Sequence, residues 1–203
     1  MDDRRYAPAT LRNRQAILEV LQQFLPPQGV VLEVASGTGE HGVFFAPQLA
    51  PRSWLPSDMS REALTSIRAW RQHMPCPFLL EPIELDIRSG NLAHPLKEKI
   101  TAIVNINMIH IAPWSACEGL MTTAQKILPS GGILYLYGPF RRGGNHTAPS
   151  NAAFDQSLQQ QNPDWGVRNL EDVSDLAARH QLSLAEIVEM PANNLSVLFK
   201  KVA

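Results

Sequence analysis

Val30-Val31-Leu32-Glu33-Val34-Ala35-Ser36-Gly37-Thr38-Gly39 is a run of β-prone apolar residues that carries one acid and gives way to a loop of small residues. The run predicts a buried strand. Its glycines let main chain approach a ligand where a Cβ would intrude, and the helix expected next offers unpaired N–H groups. A parallel α/β sheet presents a nucleotide site in this way. Glu33, four residues before Gly37, narrows the ligand. A dinucleotide strand is usually apolar up to its first glycine and sets a pyrophosphate on the helix N-terminus. An acid at the strand's end suits a ligand that carries a positive charge and hydroxyls in place of phosphates, as S-adenosylmethionine does with its sulfonium and amino group.

A chain of 203 residues with 44% hydrophobic content suits one domain over 1–203, with 1–28 as an N-terminal helical segment placed to cover the ligand crevice. Eighteen basic against nineteen acidic residues leave a formal net charge of −1, so no overall field favours a polyanion and no nucleic-acid partner is expected. Cys76 and Cys117 lack Cys-x-x-Cys spacing, and no His/Cys/Asp/Glu grouping has metal-ligand spacing, so the reading is a reducing compartment without zinc or disulfides. There is no apolar stretch of signal length and no run of eighteen apolar residues. The expectation is a cytoplasmic protein without a membrane partner.

β-rich runs alternate with helical patterns, which predicts a doubly wound α/β sheet with helices on both faces. Thr10 is placed to cap a helix whose Ile17, Val20, Leu21, Phe24 and Leu25 share a face before Pro26-Pro27 stop it. A helix is expected over 40–49, then a short strand over 53–57 ending at Asp58, and Ser60 caps a helix with Leu64, Ile67, Arg71 and Met74 at helical spacing. Residues 78–86 read as a third strand made irregular by Pro82, and 100–107 as a fourth. Pro113 opens a helix that Pro129-Ser130-Gly131-Gly132 breaks, ahead of a fifth strand over 133–137. The polar, Gly-rich passage 141–150 is expected as a loop over the ligand crevice. Asn169 with Asp172 starts a helix ending near His180, and 182–189 with 195–202 form an antiparallel hairpin.

The order of elements, Glu33 with the Ala35-x-Gly37-x-Gly39 loop, Asp58 at the end of the second strand and Asp86 at the end of the third together resemble the class I S-adenosylmethionine-dependent methyltransferases, over nearly the whole chain. More narrowly, Arg12-Asn13-Arg14, Asn107-Met108-Ile109-His110, Tyr137-Gly138-Pro139-Phe140, Ser150-Asn151-Ala152-Ala153-Phe154-Asp155 and Met190-Pro191-Ala192-Asn193-Asn194-Leu195 resemble the methyltransferase-like protein 26 family. The resemblance implies a Rossmann-like seven-stranded sheet with an antiparallel last strand, S-adenosylmethionine as cofactor and S-adenosylhomocysteine as product. It places Glu33 under the loop, where it organises the loop and favours the methionine amino group. Ala35, Ser36, Gly37 and Gly39 become the loop that meets the methionyl and ribose parts, with Ala35 standing where the usual pattern has glycine. Asp58 would accept from the ribose hydroxyls and Asp86 from the adenine amino group, with Ile87 or Leu85 on the ring; Met59 and Asn107 complete the set. The alternative is that Asp58 and Asp86 are only acids at strand ends.

Gly37-Thr38-Gly39-Glu40-His41-Gly42 also satisfies Gly-x-Gly-x-x-Gly, and Asp58 lies near the distance at which a dinucleotide fold places its ribose acid. A nicotinamide oxidoreductase is therefore a competing reading. Glu33 inside the strand, the terminal hairpin and the lack of room for a second catalytic domain stand against it.

Methyl transfer is an in-line displacement at carbon, so the enzyme mainly aligns the acceptor and removes a proton where the acceptor carries one. His110 has a suitable unperturbed pKa for that task, and Tyr137 is expected to approach from the adjoining strand. The other reading of His110 is a hydrogen-bonded residue at the crevice mouth that seats the cofactor or the next helix. Arg141 and Arg142 are candidates for a carboxylate or phosphate on a small-molecule acceptor, or a solvated loop pair. Arg4-Arg5-Tyr6 and Arg12-Asn13-Arg14 are placed to fold over the crevice. A third reading is a non-catalytic module that keeps the fold and the cofactor.

Overall fold

A computed structural model describes residues 2–203. Helix α1 (Pro8–Phe24) leads into β1 (Val30–Val34), α2 (Glu40–Gln48), β2 (Ser53–Asp58), α3 (Arg61–His73), the two-residue β3 (Ile83–Glu84), β4 (Ile100–Ile106), α4 (Trp114–Ile127) and β5 (Ile133–Gly138). A small ribbon, β6 (Arg141–Arg142) with β7 (Asn145–His146), precedes α5 (Pro149–Gln161), α6 (Leu170–Arg179), β8 (Leu182–Met190) and β9 (Asn194–Lys201). Seven strands form one sheet in the order β3-β2-β1-β4-β5-β9-β8. Strands β1 to β5 run parallel, and β9 is antiparallel to both β5 and β8. The order reverses between β1 and β4, so the carboxyl ends of those strands open a crevice at the switch point.

Alternate residues of the apolar strands feed two cores. Val30, Leu32, Val34 and Ile103 pack with Cys117, Leu120 and Met121 of α4 and Val173 and Leu176 of α6. Val31, Ala102, Val104 and Tyr135 pack on the other face with Ile17, Leu18 and Leu21 of α1 and Val43 and Phe45 of α2. Each fully buried Ile, Leu or Phe here contributes about 1.5–3 kcal/mol, enough to fix which helix lies on which face. Among the described residues no helix is long and apolar enough to cross a membrane.

Three expectations are corrected. The N-cap of α1 is Ala7, with Pro8 in the first turn, and Thr10 is buried inside the helix, because Pro fixes φ and needs no N–H partner there. The third strand shrinks to Ile83–Glu84 because Pro82 cannot donate to a ladder, leaving an isolated bridge between Trp54 and Leu79. The 141–150 passage holds the β6–β7 ribbon, and the α5 helix that follows lacks an apolar stripe to signal it. Asn169 stands at the N-cap of α6 and His180 at its C-cap, as expected, although the Asn169 Oδ1 accepts from Gly144 N–H at 3.1 Å and makes no bond to the helix. Ser60 behaves as expected: its hydroxyl accepts from Ala63 N–H at 3.3 Å.

Helix α5 lies along the carboxyl edge of the sheet. Asn151 Nδ2, in its first turn, donates to Asn193 O at 2.9 Å beside the start of β9, and Asn162, just past its end, shares a cavity wall with Pro113 at the start of α4.

Candidate active site

The loop after β1 is stitched to β2. Ser36 N–H donates to Ser57 O at 2.9 Å, Ser57 N–H donates to Ser36 Oγ at 3.1 Å, and the Ser57 hydroxyl donates to Glu33 O at 2.7 Å. Ala35 holds φ 58, the left-handed conformation that glycine adopts freely and that an L-residue enters at about 1–2 kcal/mol, so the loop keeps its turn without the usual glycine. Gly39 is required by close approach: a Cβ there would lie 2.9 Å from Ile67 Cα. Asp58 sits beneath the loop, its Oδ2 accepting from Gly37 N–H and its Oδ1 from Ser60 N–H, each at 2.9 Å. One carboxylate thus ties the glycine loop to the start of α3.

Glu33 is buried, and its Oε2 accepts from the Trp54 indole N–H at 3.0 Å. Burial pushes its carboxyl up to about 7, against the Trp54 and Ser36 hydrogen bonds that favour the anion. The unfolded value is 4.5, so between these two values the native state keeps a proton that the unfolded chain has released. Stability from this group is full below the lower value and is lost as pH rises through the upper one. We expect a loss of roughly 3 kcal/mol over that window. Glu33→Gln, which keeps an acceptor for the indole, should abolish it, so urea unfolding of the two proteins should diverge above pH 5. Parallel stability curves would mean that native Glu33 is already ionised.

A cavity of about 350 Å³ gathers the ends of β1, β3 and β4: Val34, Ala35, Met59, Leu85, Asp86, Ile87, Met108, Ile111, Ala112 and Pro113 line it, with Asn162 and Trp165 closing it from the α5 side. Met59 and Ile111 are 56% and 43% exposed on this wall, apolar surface that a flat apolar ligand would cover. Asp86 lines the cavity but engages Arg88, its Oδ2 2.6 Å from Nη2, and that pairing holds its carboxyl below the usual range. A larger hollow of about 500 Å³ lies between Trp114, Arg141, Gln159 and α6, where Asp172, Asp175 and Arg179 mix charges. It takes in nothing from the glycine loop, β2 or β3, so the smaller cavity is the one that gathers the strand ends.

Asn107 takes a left-handed turn at φ 65, with its N–H donated to Tyr137 O at 2.8 Å. His110 follows in a 3₁₀ turn and is fully buried, its ring edge-on to Phe140 at 5.1 Å between centroids. Its Nδ1 accepts from Arg168 N–H at 3.4 Å, and a Cβ on Gly138 would fall 2.6 Å from its Nε2. Burial first, then the nearby Arg168 cation, lowers the imidazole to about 3. The cavity lining takes in Met108 and Ile111 from this turn but not His110. Tyr137 points to the other face of the sheet, where its hydroxyl engages Asn13 of α1 and Asn194, and burial raises it above the usual phenol range.

Arg141 and Arg142 are separated by their partners. Arg141 pairs with the buried Asp155 and lines the larger hollow; Arg142 lies 2.9 Å from Glu189. Residues 4–7 run beside the glycine loop: Arg5 N–H donates to Ser66 Oγ at 2.8 Å, Ser66 donates to Thr38 O at 2.7 Å, and Ala7 N–H donates to Glu40 Oε2 at 2.5 Å. None of residues 2–28 is in the cavity lining. Three participants escaped the sequence reading. Trp54, Arg168 and Trp165 act through contacts far along the chain that no local motif signals.

A family described as "Protein of unknown function (DUF938)" matches residues 4–201. Solved structures share the fold. The S-adenosylmethionine-dependent methyltransferase SibL in its apo form aligns with TM-score 0.78 at 14% identity, over 96% of this chain and 56% of its own. An O-methyltransferase family protein from Burkholderia thailandensis gives 0.77 at 12%, over 96% and 58%. Human N-acetylserotonin methyltransferase in complex with SAM gives 0.72 at 13%, over 94% and 55%. The fold is that of the class I methyltransferases, and this chain spans little more than half the length of those three solved structures.

Proposed function

The chain belongs to the DUF938 family, and from that premise we propose that it transfers the methyl group of S-adenosylmethionine to a small-molecule acceptor in the cytoplasm. The observation that carries this reading is the single cavity that brings Ala35, Met59, Asp86 and Ile87 together beside a glycine loop held by Asp58. Its apolar walls and exposed Met59 and Ile111 suit a purine, and Asp58 suits ribose hydroxyls. SAM or SAH in the human neighbour and in other solved relatives supports the same ligand here.

A pyrophosphate fits less well. Gly37 N–H, which a phosphate would need, is held by Asp58, and Glu40 sets a carboxylate at the start of α2. Acids at the starts of two neighbouring helices, Glu40 at α2 and Asp58 at α3, repel a dinucleotide and attract a cationic tail.

When bound, the sulfonium supplies an activated methyl group. This chain's residues align the acceptor and exclude water. His110, enclosed and held neutral, is a positioning residue in this reading and not a general base. Asn13, Tyr137, Asn194, Asn151 and Asn193 lie in the segments that resemble the methyltransferase-like protein 26 family; Tyr137 engages Asn13 and Asn194, and Asn151 donates to Asn193 O, contacts that hold α1 and α5 to the ends of β5 and β9.

Calorimetry tests the reading. S-adenosylmethionine and S-adenosylhomocysteine should bind and NAD should not. If the methionine amino group acts on Glu33, whose carboxyl sits at about 7, binding near pH 7 should release protons, visible as a buffer-dependent enthalpy. NAD binding without either adenosyl ligand would return the site to the oxidoreductases. Tight adenosyl binding with no turnover on a broad metabolite panel would make the protein a cofactor-binding module.

A further inference from the structure

Arg168 stands just before α6 and lines the larger hollow, not the cofactor cavity. Its guanidinium is spent on main-chain carbonyls: Nε donates to Ile109 O at 2.9 Å, and Nη2 donates to Ala112 O at 2.7 Å and to Asp164 O at 2.9 Å. It lies 5.7 Å from the Trp114 ring centroid. Among the described residues no carboxylate forms an ion pair with it, so every hydrogen bond its guanidinium makes to the protein ends on a main-chain carbonyl.

One of those carbonyls belongs to a cavity wall and another adjoins the opposite wall. Ala112 is itself in one wall, beside Ile111 and Pro113, and Asp164 immediately precedes Trp165 in the other. The main chain around Arg168 is tied down in the same place. Gly166 N–H donates to His110 O at 2.9 Å, Arg168 N–H reaches His110 Nδ1, and Val167 N–H donates to Asp155 Oδ1 at 2.7 Å.

We propose that Arg168 is a positioning residue that clamps the Asn162–Trp165 wall against the Ile111–Pro113 wall, sets the width of the cofactor cavity, and must release for the ligand to exchange. This rests on the reading of that cavity as the adenosyl site. A planar fork meets several carbonyls at fixed angles, whereas a lysine ammonium on a different stem cannot hold the same set.

The test uses the full chain, Arg168→Lys and Arg168→Met, in two arms. Without ligand, hydrogen exchange at the Gly166 and Val167 amides should quicken about tenfold or more in both variants, the scale set by losing one charge-assisted hydrogen bond, while Leu32 and Ile103 in the central strands keep wild-type protection. With S-adenosylhomocysteine as probe, association with and dissociation from Arg168→Lys should both quicken about tenfold, because a clamp that must open gates entry as well as exit, an effect a purely structural role in stability would not produce. Wild-type exchange at Gly166 and Val167 in Arg168→Lys would overturn the clamp. Faster exchange with unchanged dissociation would overturn its role in ligand exchange. Should the wild type bind neither adenosyl ligand, the cofactor reading and the clamp's ligand role fail together, while the exchange arm still decides whether the walls are clamped. If Arg168→Met fails to fold, Arg168→Lys decides both arms.

Discussion

Asp58→Ala should weaken S-adenosylhomocysteine binding about 100-fold, close to 2.7 kcal/mol, the sum expected from lost charge-assisted contacts to ribose and a loosened loop. The carboxylate does two jobs in the free protein. It holds Gly37 N–H with one oxygen and Ser60 N–H with the other, so its removal leaves two amides at the site unpaired and frees the loop from α3. Asp58→Asn should fall between, since it keeps one acceptor oxygen but turns an NH₂ toward one of those amides. Calorimetric titration of the three proteins with the same ligand checks the order. Equal affinity across the series would remove Asp58 from the binding site. A fall in thermal stability without a fall in affinity would leave it a loop anchor only.

His110→Ala should cost about 3 kcal/mol of stability and, for a chain of this length, lower Tm by about 6–12 °C. The ring is fully buried against Phe140 and Gly138, and its loss leaves a cavity and strips Arg168 N–H of its acceptor. Its proton chemistry has the opposite sign to that of Glu33. The unfolded imidazole takes a proton below 6.5 and the native one only near 3, so the contribution is full above the upper value and is lost as pH falls between the two. His110→Gln should therefore be less acid-sensitive than the wild type in urea unfolding from pH 7 to pH 4. Once an acceptor is in hand, the pH–rate profiles of wild type and His110→Gln should share one shape, because a group at about 3 contributes no limb near neutrality. A limb near pH 6–7 that vanishes in His110→Gln would restore the general base.

The strands and their order of appearance were legible because buried parallel strands are nearly continuous apolar runs bounded by turn residues, as Val30–Val34 and Ile133–Gly138 are. The glycine loop, Asp58 and the Ser60 cap were legible because their chemistry is local, written within a few residues of a strand end. Helix α5 was not, because its weakly patterned sequence buries only Asn151, Asp155 and Leu158, two of them polar. Arg141 and Arg142 read as a pair in sequence, yet they part in the fold because successive residues of an extended strand face opposite sides.

By itself the sequence determined an α/β sheet, an acid within the strand that leads to a glycine loop and a terminal antiparallel hairpin, all consequences of periodicity and turn chemistry within short windows. Only the tertiary structure decided that His110 is enclosed, that Glu33 shares its proton range with neutrality, that Asp86 pairs with Arg88, and that Arg168 joins the carbonyls of Ala112 and Asp164. Exposure, desolvation and a guanidinium's choice among distant carbonyls depend on which segments pack together. That is set by long-range burial, to which no single stretch of the chain holds the key.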